Sequence, residues 1–269
     1  MTKITVLSLG AGVQSSALAL LAAREEIKPM PDAAVFADTG AESKKTYDFL
    51  DMLSKEVPFP IYRTMKDDGL TKHIEQAIEN NDRCSNPPLF SEGKGMIFRA
   101  CTRDYKIRPI NSEIRKIGGI KKWGHVKGKL KVDLWIGISK DEMQRQKESL
   151  ESWIEHRWPL IELGMTRQDC LDWMTENNYP QPPRSACVYC PYRNNREWKF
   201  MKDNQPEDFA EAVRVDKLVR KGFKGGSKKL YVHGDRIPLD EVDFSRGKDD
   251  NQTYLFHPMQ QECDGMCGV

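Results

Sequence analysis

Two kinds of residue in this chain stand at spacings that can do chemistry: cysteines in close pairs, and small residues between a strand and a helix. Cys187-Val188-Tyr189-Cys190-Pro191 and Cys263-Asp264-Gly265-Met266-Cys267 each hold two thiols a few residues apart, the gap that lets neighbouring thiolates point at one metal ion. Leu7 to Leu18 reads as the end of a short apolar strand, a turn of small residues around Gly10 and Gly12, and a helix beginning near Ser15. Glycines there let the backbone approach a ligand closely, and the free N–H groups and positive dipole end of a helix start favour an anion. A phosphate is the expected guest. The turn lacks the Lys-Ser/Thr of a P-loop, since Val13-Gln14 follow Gly12, and it lacks the third glycine of a dinucleotide fingerprint, where Ser15 stands.

These residues must be held by a chain of 269 residues, long enough for one sizeable core plus a substantial appendage. With 42 basic and 40 acidic side chains the net charge is +2, so no global field selects a polyanionic partner. The opening run Met1 to Leu7 is too short for a signal peptide, and no later stretch has the length to span a bilayer; the expectation is a cytoplasmic protein with no membrane contact. Seven cysteines in a chain of this size point to metal or thiol chemistry more than to disulfide staples.

The apolar run Ala33 to Ala37 reads as a second buried strand ending at Asp38-Thr39-Gly40, followed by an amphipathic helix over Ser43 to Lys55. A third strand is expected over Phe59 to Arg63 and another over Val132 to Ile138, while Asn80 to Gly95 reads as a long surface loop containing an incidental Cys84. Strand-to-helix repetition predicts a parallel sheet with helices on both faces and ligands outside the carboxyl ends of the strands. A capped helix is expected from Thr166, with Cys170 as a core residue, and a helical stretch from Asn195 to Leu218 that reads as core. Gly222 to Lys229 is a flexible loop, and His233 and His257 have no partner at metal-binding spacing. Residues 115–131 carry seven lysines and arginines with Trp123 and no acid, either a solvated excursion between strands or a strip for a nucleic-acid backbone.

The turn from Ser8 to Ser16 resembles the pyrophosphatase (PP) loop, Ser-Gly-Gly-x-Asp-Ser, in the form used by the phosphoadenylyl-sulfate (PAPS) reductase family, where Gln before Ser is a familiar variant. Asp38-Thr39-Gly40 resembles that family's second signature. Cys101 to Ile110 resembles its segment of cysteine, basic residues and proline, with Ala100 where iron–sulfur members have a further cysteine. Gly137 to Arg145 and Trp158-Pro159-Leu160 continue the likeness, which covers about residues 4–193. The resemblance implies a doubly wound, mainly parallel α/β fold of the adenine nucleotide alpha hydrolase-like type over 1–165, with a helical, cysteine-bearing region over 166–269. It also implies an adenine nucleotide, either ATP or a sulfonucleotide (APS or PAPS) and with Mg²⁺ in the ATP case. Its contacts would be Ser8, Gly10, Gly12, Gln14, Ser15, Ser16, Asp38, Thr39, Gly40, Gly137 and Ser139. Arg103, Lys106, Arg108 and Arg145 are the candidate clamp for a phosphate or sulfate group.

Two ligand sets are open for the cysteines. Cys187, Cys190, Cys263 and Cys267 would make a closed zinc site; alternatively Cys101, Cys187 and Cys190, with Cys263 or Cys267, would hold a [4Fe–4S] cluster, as the resemblance implies. Glu262-Cys263 also matches the start of the reductase tail that carries the sulfur-attacking nucleophile, with Asp264 inserted before Gly265. Three functions follow as expectations. The first is sulfonucleotide reduction or sulfur transfer by Cys263 with a thiol reductant or sulfur donor. The second is an ATP-dependent adenylylating sulfurtransferase acting on nucleic acid, and the third a non-catalytic nucleotide-binding module.

Overall fold

The computed structural model describes residues 1–84, 87–93, 95–225 and 229–245; Cys263, Cys267 and His257 lie outside the described residues. Five strands form one sheet in the order β3-β2-β1-β6-β7, every neighbouring pair parallel: β1 (Thr2–Leu9), β2 (Ala33–Asp38), β3 (Ile61–Met65), β6 (Leu130–Ile136) and β7 (Ile154–Arg157). Two short strands, β4 (Phe90–Ser91) within the segment expected to be a bare loop and β5 (Gly95–Met96) at its end, form a small second sheet in which β4 pairs antiparallel with both β5 and β8 (Leu230–Tyr231). The main sheet runs outward from β1 in both directions, so its order reverses between β1 and β6. This is the doubly wound arrangement, consistent with the adenine nucleotide alpha hydrolase-like fold, and its ligand crevice falls at the carboxyl ends of those two strands.

Alternation along the strands sends side chains to two cores. Leu7, Leu9, Ala34 and Phe36 join α1 (Val13–Ala23), α2 (Lys44–Glu56) and α6 (Arg167–Glu176) on one face, where Cys170 is fully buried. Val6, Val35 and Ala37 join Ile110 and Ile114 of α4 (Arg108–Ile117) on the other. Between these elements run α3 (Gly69–Glu79), the short helix α5 (Pro159–Glu162), a π-helical turn Arg103–Ile107 leading into α4, and a 3₁₀ turn Lys140–Arg145 after β6. α1 is apolar on nearly every side because it is covered on nearly every side; ten of its eleven residues are buried.

A third core lies off the sheet. It gathers Leu70 and Ile74 of α3, Tyr105 of the π-helical turn, Val188 and Tyr189 of the cysteine turn, and α7 (Asn195–Asn204) and α8 (Pro206–Val219). The single helical stretch expected from Asn195 to Leu218 is these two helices. Gln205 leaves helical geometry at φ −142°, ψ 60°, as the residue before a proline does, and Pro206 opens α8. No helix among the described residues is long and apolar enough to cross a membrane.

Candidate functional site

The turn between β1 and α1 is closed on itself. Gly10 N–H donates to Ser15 Oγ at 3.1 Å, and Ser16 N–H to Gly12 O at 3.0 Å. Ala11, between the two glycines, takes a left-handed φ of 57°, which costs a residue with a side chain about 1 kcal/mol. Gln14, Ser15 and Ser16 are wholly buried. Gln14 Nε2 donates to Glu142 Oε2 at 3.0 Å and to Ser139 Oγ at 3.4 Å, and the same Glu142 oxygen accepts from Arg145 Nη1 at 2.5 Å. The glutamine that replaces the loop's acidic residue thus faces a carboxylate, which an Asp there would repel. Ser8 Oγ, Gln14 Oε1 and Ser16 Oγ are buried with no hydrogen-bond partner among the described residues. Orphaned polar atoms of this kind each cost about 1–3 kcal/mol, and a bound ligand or water can satisfy them.

Gly137 belongs to the same knot. A Cβ there would lie 2.7 Å from Ser15 N and 2.8 Å from Ser15 Cα, so its absence lets the end of β6 press against the start of α1. Sequence reading expected Gly137 beside the nucleotide; in the structure it sets how close the two halves of the crevice approach.

At the end of β2, Asp38 Oδ1 accepts from Gly40 N–H at 2.7 Å and from the Tyr47 hydroxyl at 2.8 Å, an Asx-type turn in which Gly40 takes φ 67°. Burial, then the bond to Asp38, holds the Tyr47 hydroxyl protonated well above its usual range. Thr39 turns inward, its Oγ1 donating to Glu42 Oε1 at 3.2 Å and lying 3.4 Å from Cys187 Sγ. Lys106 Nζ reaches the same Glu42 oxygen at 3.7 Å, with both side chains buried. Arg103 and Arg108 instead point outward and share Asp104. The expected clamp of four cations is therefore divided among three places: Lys106 at the cysteine turn, Arg145 at Gln14, and Arg103 with Arg108 on the surface.

The cysteine turn lies across this edge. Ser185 Oγ donates to Gly10 O, and Val188 N–H donates to Ala41 O at 2.8 Å, so the segment is fastened both to the β1 turn and to the end of β2. Cys190 N–H donates to Cys187 O at 3.0 Å, closing the Cys-x-x-Cys turn. Burial first, then the charge of Glu42, raises the Cys187 thiol well above its ordinary range, with Lys106 opposing. Arg193 completes the turn, donating through Nη2 to Ala186 O and Cys187 O, both at 3.3 Å. Its guanidinium is lowered to about 10 by burial and by Arg184, while Cys190, Cys187 and Glu42 act to hold its charge. Arg193 forms no ion pair with a carboxylate among the described residues, and its Nε is an orphaned buried donor. Cys101 packs at the border of the same third core. Among the described residues no group of three or more His, Cys, Asp or Glu side chains surrounds one point where a metal ion could sit.

Beside Arg193 a cavity of about 660 Å³ opens between α2 and α7, lined by Arg184, Arg193, Arg196, Phe49, Met52 and Phe200 among others. The sequence signals missed Glu42, Glu142, Ser185 and Arg193. Glu42 follows Asp38-Thr39-Gly40 by two residues and Arg193 follows Cys190 by three, so proximity to the motifs was their only mark.

The sheet order, the β1 turn and the cysteine turn define a doubly wound α/β protein whose Cys-x-x-Cys segment is fastened to the turn after β1 and packs at the end of β2. No protein-family model matches the chain, and no curated protein matches it significantly. Among solved structures, phosphoadenylyl-sulfate (PAPS) reductase from Candida auris, in its phosphate complex, is similar over 68% of this chain and 75% of its own, at 16% identity and a TM-score of 0.41.

Proposed function

We propose that this chain is an enzyme that binds an adenine nucleotide at the carboxyl ends of β1 and β2 and performs sulfur chemistry there, by sulfonucleotide reduction or sulfur transfer. The observation that carries this reading is the stitch between the two motifs: Ser185 bonds Gly10 of the loop, and Cys187 stands two residues further on, 3.4 Å from Thr39. The orphaned hydroxyls of Ser8 and Ser16 can donate to a phosphate-bearing ligand, while the orphaned Gln14 amide oxygen can only accept, from a water or a ligand N–H or O–H. Lys106 and Arg145 stand at opposite ends of that edge.

The residues at the cysteine turn suit an iron–sulfur cluster in charge and donor type. A buried guanidinium with no direct ion pair among the described residues, supported only at longer range by Glu42 and Asp208, accommodates further negative charge, and thiolates at Cys187 and Cys190 would provide it. Cys187 and Cys190 would hold the cluster with Cys101 and, where Cys263 serves as the nucleophile, with Cys267. When bound, such a cluster supplies a fixed, strongly polarising charge next to the substrate's sulfonyl group. In the reductive chemistry, the Cys263 thiolate attacks the sulfur of the sulfonucleotide, forming a sulfur–sulfur bond while the bond from sulfur to the bridging oxygen breaks and the nucleotide phosphate leaves with the electron pair. A thiol reductant then attacks the cysteine sulfur, releasing sulfite and leaving a disulfide. Thr39 and Lys106 orient and neutralise groups at that edge.

Anaerobic purification followed by iron, zinc and sulfide analysis and an assay with APS, PAPS and ATP tests the reading. Iron with sulfide, and sulfite release that Cys263→Ser abolishes while nucleotide binding remains, is the expected result. A colourless zinc protein that binds nucleotide but turns over none of the three would replace this reading with that of a binding module.

A further inference from the structure

A second cavity, of about 1100 Å³, opens at the carboxyl end of β3, where Thr64 and Met65 meet α4 and the loop that follows it. Six cations line it, Lys66, Arg108, Arg115, Lys116, Lys121 and Lys122, against Asp67, Asp104 and Glu151. Asp104 is buried and engaged by Arg103 and Arg108, so it adds little negative field to the opening. In a chain whose net charge is only +2, this is a strong local concentration of positive charge.

The loop that carries the last two lysines is held in place. Arg115 Nη2 donates to Gly124 O at 2.7 Å, Gly124 N–H donates to Lys121 O at 2.8 Å, and Ile120 N–H donates to Arg115 O at 2.8 Å. Between Lys122 and Gly124 stands Trp123, 87% exposed, with Lys122 Nζ 5.6 Å from its ring centre. An indole left open to water beside a cluster of cations is a platform without a guest. Not all of the basic run contributes: Lys116 pairs with Glu113 at 2.6 Å, Lys127, Lys129 and Lys131 do not line the cavity, and Lys131 pairs with Glu155 at 2.9 Å.

We propose that this cavity docks single-stranded nucleic acid, with backbone phosphates on Lys66, Lys121 and Lys122 and one unpaired base stacked on Trp123, which adjoins Lys122 outside the cavity lining. Cations spread across a cavity of this size fit a run of phosphates better than a single small anion. The exposed ring selects an unpaired strand, because a base inside a duplex offers no free face. The cavity runs from the carboxyl end of β3 along α4 to the loop that leads into β6. Strand binding there is independent of the proposed sulfur chemistry and is read without turnover.

The test is fluorescence anisotropy of the full chain with labelled oligothymidylate and oligouridylate of roughly ten nucleotides, titrated from low to high potassium chloride. The expected result is binding whose logarithmic salt slope is about −0.7 per phosphate neutralised. The double variant Lys121→Glu, Lys122→Glu should weaken binding at least about tenfold and flatten that slope. Trp123→Ala should weaken it roughly tenfold with the slope unchanged. All three positions are exposed, so circular dichroism should show the variants folded as the parent. A preference for either sugar supports the site and names the strand. Absence of binding at low salt, variants that bind as the parent does, or a duplex that binds as tightly with Trp123→Ala silent would each overturn it.

Discussion

Gly137 lies where β6 runs out against the first turn of α1, and the atoms a methyl group would meet there are backbone: Ser15 N at 2.7 Å, Ser15 Cα at 2.8 Å and the Gln14 carbonyl carbon at 3.1 Å. None can rotate away. Gly137→Ala should therefore push β6 and α1 apart, lowering stability by about 1–3 kcal/mol and weakening the nucleotide binding proposed for the loop; urea denaturation and equilibrium dialysis measure the two. An unchanged urea midpoint would mean that the crevice has slack that the packing does not show. Gln14 and Glu142 obey the same logic, since a neutral amide can donate to a carboxylate that a second acid would repel. The strand, tight turn and helix around Gly10, Gly12, Ser15 and Ser16 were legible, but the dependence of that turn on Glu142, which lies 128 residues from Gln14, was not.

Among the elements, α7 shows how local rules serve the site. Asn194 accepts from Glu197 N–H at 2.9 Å while Glu197 Oε2 accepts from Asn194 N–H at 2.9 Å, a capping box that fixes where the helix starts. The other Glu197 oxygen pairs with Arg184, so the cap also holds one wall of the cavity beside Arg193. Asn194→Ala should cost about 1 kcal/mol by thermal melting and loosen Arg184; a melting temperature equal to the parent's would place the helix start elsewhere. The π-helical turn Arg103–Ile107 works differently. Its wider winding precedes Pro109 and sends Lys106 inward while Arg103 and Arg108 remain outside. The family resemblance of this segment grouped the three cations as one clamp, and a one-dimensional likeness does not show which side of an irregular turn is buried.

On the scale of the molecule, the third core binds α3 to α7, α8 and the cysteine turn, and His233 sits within it against Phe244. Its Nδ1 accepts from Asp235 N–H at 3.1 Å and its Nε2 meets Asn195 Oδ1 at 2.8 Å, an arrangement for the neutral ring. Burial lowers its pKa below the ordinary 6.5, with Asp235 and Asp216 opposing. The unfolded chain then binds the proton more readily than the folded one. The stabilisation is full above about 6.5 and declines as pH falls from there toward the folded-state value. Urea midpoints measured at neutral and mildly acidic pH should fall on acidification in the parent and fall less in His233→Gln; parallel curves would assign the acid sensitivity to other groups.

Composition and periodicity were enough to mark the strands β1, β2 and β6, the strand-to-helix turns at their ends, the buried Cys170 and the paired thiols at Cys187 and Cys190, because those features are written in neighbouring residues. The tertiary structure decided what those features touch. It joined Ser185 to Gly10 across 175 residues, buried Arg193 against the cysteine turn with no direct ion pair among the described residues, and brought Lys121 and Lys122 to line one cavity with Lys66. Such partnerships depend on strand order and on which face each element buries, and a one-dimensional pattern does not specify that order.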